Sequence, residues 1–255
     1  MKDSSYFSVM AKKSKVVRLE EEIQGVRIPV EVSYEWRRDI RYSVARSAAY
    51  LRLPVMMRAK AKRDTYQQFR AWLKEVMEAR PERLQHFAGR NYQNGMLLQV
   101  KDRQYTILIK EEDRKTSSAK LTGETIDIKL ARTAQQKQKV IRLLVSRSVA
   151  KDWLPFIEER VDYWNDHFFQ KEINRIQLKL NHSNWGSCSS KRNINLSTRL
   201  LFAPDEVIDY IIVHELSHLI EMNHSPRFWK IVSDVMPDYK THERWLKEHG
   251  HSCFF

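Results

Sequence analysis

Three histidines and three carboxylates lie within residues 207–229, VIDYIIVHELSHLIEMNHSPRFW, a stretch that otherwise has the composition of a buried helix. Each polar group there would cost free energy unless it had a partner. His214 and His218 are four positions apart, so on a helix both imidazoles would lie on one face, within reach of a single ion. Neutral imidazoles are good ligands for Zn²⁺. The spacing therefore predicts that these two histidines bind a zinc ion.

Glu215 directly follows the first of these histidines and completes the pattern HExxH. On a helix it would project toward the position of a metal-activated water, where its carboxylate could take the water's proton during attack on a carbonyl. Apolar residues flank it at helical spacing, namely Val207, Ile208, Ile211, Ile212 and Leu219. Such a stripe is buried in a fold, which argues against a solvated surface helix with incidental histidines. The pattern predicts a hydrolase in which Glu215 is the general base.

A catalytic zinc ion takes three protein ligands and keeps one position open, so a third ligand is required. Glu221 lies three residues after His218, still within helical spacing. His224 lies just past a helix end expected at Asn223, and Ser225 predicts the N-cap of a new helix. His224 would then lie at a tight corner and could fold back toward the pair. We favour His224, and Glu221 is the alternative, which could instead orient a ligand or face solvent.

Other polar residues near this stretch have less definite roles. A Cys188 thiolate as fourth ligand would close the catalytic position, so we expect a buried or rim residue there. A transition-state oxyanion needs a donor besides the metal. Tyr239, His242 and Arg244 could each supply one, and each could equally be a packing or surface residue. His182 is expected to be structural.

The remaining sequence predicts an α+β fold. Period-2 alternation indicates strands at residues 25–34, 50–56, 104–112 and 124–130, with a polar loop at 113–123. Helical spacing indicates a helix at 64–81 and a second after residue 132, with an interruption expected near Pro155. Strands at 175–180 and 193–202 are predicted to pair as a hairpin, and Asp205 to cap the HExxH helix. We predict a strand-rich basic subdomain at 1–130 and a catalytic domain at 131–255.

The segment from Trp185 to Gly250 resembles the YgjP-like zinc metallopeptidases, which are relatives of the WLM and SprT-type proteases among the zincins. The motifs that carry the resemblance are WGSC, HELSHL, NHSPRFW and the closing PDY and WLKEHG. It implies a zincin-like fold whose active-site helix carries His214, Glu215 and His218, with His224 as the third zinc ligand. It also implies that a strand beside this helix binds extended polypeptide by β-addition, either 193–202 or the segment around 185–188.

The positive charge of the chain is concentrated in its first part. The net charge is +13, and residues 151–255 hold 13 Lys/Arg against 15 Asp/Glu, which leaves 32 against 17 in residues 1–150. This basic part could attract nucleic acid or another polyanion, although a solvated basic surface is the simpler interpretation. No zinc-knuckle, RRM-type or helix-turn-helix signature accompanies it.

Cysteine usage and hydropathy indicate the compartment. Cys188 and Cys253 lie 65 positions apart without a CxxC pair, which is typical of a reduced cytoplasmic protein. The N-terminal residues lack the apolar core of a signal peptide, and no apolar run approaches about 18 residues, so no membrane is expected as partner.

Three functions are compatible with these residues. The leading prediction is a zinc-dependent metallopeptidase that acts on polypeptide. A zinc-dependent hydrolase of nucleotides or phosphoesters would use the same water. A DNA-associated protease of the SprT type is the third.

Overall fold

The computed structural model describes residues 16–255 except 25, 46–47, 82, 85–86, 88 and 182. The predictions made for residues 1–15 and for His182 lie outside this range. Contacts divide the chain into two compact units, Met1–Gly89 and Arg90–Phe255. The sequence predicted a boundary after residue 130. The contacts instead group residues 96–131 with the second unit, because their buried side chains share a core with the helix that follows them.

The first unit contains a sheet whose inner face is covered by a helix. Its strands are β1 (Val17–Ile23), β2 (Val26–Glu35), β3 (Arg41–Val44) and β4 (Ala49–Pro54), in the order β1-β2-β4-β3, and the helix is α1 (Ala59–Ala79). Alternate residues of β2 are buried, as the period-2 pattern predicted, and α1 buries Phe69, Leu73 and Met77 in the same core. The strands predicted at 25–34 and 50–56 and the helix predicted at 64–81 are therefore confirmed.

A second sheet opens the second unit. It consists of β5 (Met96–Val100), β6 (Arg103–Glu112), β7 (Ser118–Thr122) and β8 (Thr125–Ala131), in the order β5-β6-β8-β7. The prediction of a loop throughout 113–123 is wrong, because β7 pairs antiparallel with β8 around Gly123, which has a positive φ of 57°. Ala119 and Leu121 of this strand pack against the core, which the polar composition of the segment concealed.

The long helix α2 (Lys137–Trp164) supports this sheet and runs through Pro155 without a break. The expected interruption is absent because residues on both sides of the proline are fixed by burial. Trp153, Ile157 and Val161 lie in the core, and the Trp153 indole donates a hydrogen bond to the Tyr105 hydroxyl at 2.8 Å. This packing outweighs the lost backbone hydrogen bond.

A third sheet lies beside the HExxH segment. It consists of β9 (Arg175–Lys179), β10 (Gly186–Cys188) and β11 (Asn193–Ser197), in the order β10-β11-β9. The predicted hairpin is wrong, because β9 and β11 are parallel. A tight turn, in which the Arg192 N–H donates to the Ser189 carbonyl, brings β10 back onto the antiparallel edge of β11. Residues 198–202 form a 3₁₀ turn instead of continuing the strand.

Three helices complete the chain: α3 (Asp205–Ser217), α4 (Pro226–Val235) and α5 (Tyr239–His249). Asp205 begins α3 but does not cap it, because its carboxylate is paired with Lys101. Among the described residues, no helix combines the length and apolar composition needed to cross a bilayer. The fold is mixed α+β, as predicted.

Candidate metal centre

The histidines are positioned by the end of α3 and the corner that follows it. His214 lies in the last turn of α3, and His218 is the residue that ends the helix. The helix therefore ends earlier than the predicted Asn223. Ser225 caps α4 by accepting a hydrogen bond from the Phe228 N–H at 3.3 Å, as predicted. His224 thus lies on the corner between the two helices.

This corner brings the three imidazoles together. One nitrogen of each of His214, His218 and His224 lies within 4.8 Å of the others, and the Nε2 atoms of His214 and His224 are 3.0 Å apart. Two imidazole nitrogens at this distance repel through their lone pairs unless a proton or a cation lies between them. The Glu221 carboxylate does not join the three imidazoles and lies 4.0 Å from the Arg227 guanidinium. The backbone carbonyl of Glu221 accepts a hydrogen bond from His218.

The state of these imidazoles fits a divalent cation. Burial, with the neighbouring imidazoles, lowers the pKa of His214 to about 3, and burial also lowers the pKa of His218. Both rings are therefore neutral near pH 7, which is the form that binds metal. The His218 Nδ1–H donates to the Glu221 carbonyl at 3.1 Å, which leaves the Nε2 lone pair free. Such a donor set suits Zn²⁺ and related first-row ions.

Aromatic side chains of α4 fix the orientation of the three rings. The Phe228 ring centroid lies 4.8, 4.5 and 4.7 Å from those of His214, His218 and His224. Trp229 lies 5.7 Å from His214 and 5.8 Å from His224. Reasoning from residue types did not single out these two aromatics, although both lie in the NHSPRFW motif.

Glu215 lies on α3, and its side chain is enclosed against β10. It is 4% exposed, and a Cβ on Gly186 would lie only 2.5 Å from its Oε1 and 2.7 Å from its Cγ. Burial raises the pKa of its carboxyl to about 8, and a hydrogen bond from the Cys188 backbone partly opposes this rise. Its Oε2 is buried and has no hydrogen-bond partner among the described residues. The glycine of WGSC is therefore required by close packing against the glutamate, which spacing alone did not indicate.

The two segments expected to bind polypeptide by β-addition, 193–202 and 185–188, occupy different positions in the third sheet. β11 is paired on both sides, so it has no free edge to which a peptide could add. β10 is an edge strand and lies against α3 through Gly186 and Glu215. Of the two candidates, the segment at 185–188 is the one that an extended chain could reach by β-addition.

Cys188 lies outside the cluster that the imidazoles form. The thiol is half-buried, and burial together with the nearby Glu215 charge raises its pKa to about 11. Burial therefore favours the neutral thiol at pH 7, and the cluster of possible metal ligands among the described residues does not include it.

The three candidate oxyanion donors occupy different environments. Tyr239 stacks on Tyr210 and on Trp229, with centroids 6.2 and 5.5 Å apart. His242 also stacks on Tyr210, at 6.3 Å, and Arg244 is exposed. Tyr210 in turn lies 6.1 Å from His214, so Tyr239 and His242 belong to the aromatic surroundings of the imidazoles.

Three imidazoles that converge beside a buried glutamate are the kinds of side chain with which metal-dependent hydrolases bind a cation and activate water. The family model of the YgjP-like metallopeptidase domain matches residues 38–249, and the chain belongs to this family. The family implies a divalent metal ion. No curated protein sequence matches the chain significantly.

Solved structures also match part of the chain, and two of them are metallopeptidase zymogens. The metallopeptidase zymogen of Pyrococcus abyssi abylysin is 23% identical, covers 36% of this chain and 93% of its own, and gives a TM-score of 0.34. The metallopeptidase zymogen of Methanocaldococcus jannaschii jannalysin is 22% identical, covers 36% of this chain and 94% of its own, and gives a TM-score of 0.33.

Proposed function

We propose that the protein is a zinc-dependent metallopeptidase, in which His214, His218 and His224 hold the zinc ion and Glu215 is the general base. The convergence of three imidazole nitrogens within 4.8 Å carries this proposal. His224 is preferred to Glu221 as third ligand because the Glu221 carboxylate points to Arg227. Membership of a metallopeptidase family supports the peptide bond as the one hydrolysed.

When bound, the zinc ion lowers the pKa of a water molecule and polarises a carbonyl. Glu215 takes up the proton of the attacking water and delivers it to the leaving amine. The enclosed position of the glutamate raises the pKa of its carboxyl, and a nearby divalent cation opposes that rise by favouring the ionised form. A carboxylate with a raised pKa is basic enough to accept the proton once the cation has favoured its ionised form.

The outer edge of β10, which pairs with no other strand among the described residues, is the proposed site of substrate binding. A polypeptide added to this edge would be extended and held by backbone hydrogen bonds, so its scissile carbonyl could lie beside Glu215. Backbone pairing selects for unfolded or flexible chains, because folded proteins keep their strands paired. We therefore propose unfolded polypeptide as substrate.

The replacement Glu215→Gln tests the general-base role, because it keeps the size of the side chain and removes its basicity. We expect turnover of denatured casein to fall about 10²- to 10⁴-fold with zinc content unchanged. Glu248→Gln, an exposed residue of α5, is the matched control and keeps full activity. Undiminished turnover in the zinc-loaded Glu215→Gln protein would refute the role.

A panel of substrates identifies whether the protein hydrolyses peptide bonds or phosphate bonds. Denatured casein, nucleoside triphosphates and phosphodiester oligonucleotides are incubated with the same zinc-loaded protein. We expect hydrolysis of casein alone, and hydrolysis of a phosphate substrate that Glu215→Gln abolishes would favour the alternative hydrolase. The cytoplasmic location stays a prediction from the sequence.

A further inference from the structure

Exposed apolar side chains cluster at one end of the first unit, which we call the tip: residues 36–40 after β2 and 55–63 between β4 and α1. Trp36 is 88% exposed, Met56 80% and Ile40 41%. Because β2 and β4 are parallel and end in register, Glu35 opposite Pro54, the two segments leave the sheet side by side.

The contacts at this end hold the tip together. The Val55 N–H donates to the Glu35 carbonyl at 3.0 Å. Lys62 at the start of α1 places its Nζ 4.5 Å above the Tyr34 ring, so the first turn of the helix belongs to the same end. Asp39 is shared by Arg37 and Arg41, each at 2.9 Å.

The tip is strongly cationic. Residues 36–40 and 55–63 contain six Arg/Lys and one acidic residue, Asp39, and four of the six cations are arginines. Arg38, Arg58, Lys60 and Arg63 are exposed, whereas the Asp39 carboxylate is already paired with Arg37 and Arg41. The first turn of α1 holds no acidic side chain, so the positive end of the helix dipole adds to the cationic field.

Neither the cations at the start of α1 nor the exposed indole of Trp36 stabilises the fold by itself. Cations at a helix N-terminus oppose the dipole, and a largely exposed indole gains little from burial. A polyanion would offset the first cost, and a flat apolar partner would cover the indole. Unpaired nucleobases on a phosphate backbone supply both, because bases stack on Trp and guanidinium groups bind phosphate in bidentate fashion.

A lipid surface is the less suitable anionic partner. Insertion of Trp36 and Ile40 into the acyl boundary would remove Asp39, which lies between them with a 55% exposed side chain, from water. Stacking of a base on Trp36 leaves that carboxylate solvated. A duplex offers phosphate but no unpaired base.

We propose that the tip binds single-stranded nucleic acid, with Trp36 as the stacking platform and Arg38, Arg58, Lys60 and Arg63 as the phosphate-binding groups. This surface is independent of the proposed peptidase site, and its test requires no metal. Binding would recruit the protein to exposed single strands.

The test is fluorescence anisotropy of a labelled oligothymidylate 20-mer with the full chain at several salt concentrations. Four phosphate contacts predict a slope of log K against log salt of about −3. Trp36→Ala is expected to weaken binding roughly tenfold without changing the slope, and Trp36→Phe to restore part of the affinity. Trp36 is almost fully exposed, so neither change should affect folding.

A matched pair of variants on α1 tests the charge. Lys60→Ala is expected to lower the magnitude of the slope by about 0.7, whereas Lys74→Ala, exposed on the same helix but four turns away, leaves affinity and slope unchanged. Equal effects of the two would overturn the proposed site.

Competing partners complete the test. A matched DNA duplex, polyglutamate and vesicles containing phosphatidylserine are compared with the oligothymidylate at the same salt. Tighter binding to the single strand supports the proposal. Equal or tighter binding to the duplex, to polyglutamate or to vesicles overturns it. A blue shift of the tryptophan emission on vesicles that is absent in Trp36→Phe would identify a lipid surface instead.

Discussion

The replacement Gly186→Ala tests whether close packing of β10 holds Glu215 in place. The added methyl would lie 2.5 Å from Oε1, 2.7 Å from Cγ and 2.8 Å from Cδ of the glutamate. Carbon atoms in contact are about 3.5–4.0 Å apart, so the side chain or the strand must move by about 1 Å. Glu215 is 4% exposed and cannot swing freely into solvent. A displacement of about 1 Å at a reacting group typically costs about 10²-fold in rate.

Activity, zinc content and stability are measured together. We expect casein turnover to fall about 10²-fold, zinc content to stay near that of the parent protein, and the free energy of unfolding to fall by about 1–3 kcal/mol through overpacking. Ser190→Ala, an exposed turn residue just beyond β10, is the control and should change none of the three.

A double variant locates the clash. If the methyl meets the Glu215 side chain, Gly186→Ala costs much less stability in a Glu215→Ala background, and the two changes are not additive. Additive losses of unfolding free energy, or full activity of Gly186→Ala, would refute the packing argument.

Three further predictions concern the ligands and their surroundings. His224→Ala should lose zinc on dialysis, whereas Glu221→Ala should keep it because the carbonyl that holds His218 remains; elemental analysis decides, and zinc retained by the first variant would contradict the ligand assignment. Arg199→Met should lower the unfolding free energy in urea by about 2–4 kcal/mol, because two backbone carbonyls lose a buried charged donor, whereas the exposed Arg192→Ala should cost less than about 0.5 kcal/mol. Tyr105→Phe should lower the unfolding free energy in urea by about 1–3 kcal/mol, since the Trp153 indole N–H and the Asp152 carboxylate lose their shared hydroxyl partner. A change within experimental error would contradict this.

Short-range spacing in the sequence predicted much of the local structure. The four-residue interval between His214 and His218, the cap at Ser225 and the alternation in β2 depend on helix and strand geometry alone, and the structure has all three. Membership of the YgjP-like family, which the motifs from Trp185 onward indicated, is confirmed.

Pairing between distant segments was not predictable in the same way. Period-2 alternation identifies β9 and β11 as strands, but it carries no information on direction, and the turn that brings β10 between Glu215 and β11 depends on tertiary packing. The enclosure of Glu215 by Gly186 is a contact across 29 residues and left no local signal. The roles of the metal ligands and of the general base stay predictions.

Phe228 contacts all three imidazoles and is itself fully buried. Ring positions set by a hydrophobic core do not have to be organised by the ion, unlike those of zinc fingers, which are unfolded without metal. We therefore expect metal binding to be reversible without a change in structure. A chelator would abolish activity, and added metal would restore it without refolding. Metal availability would then control the activity of the protein.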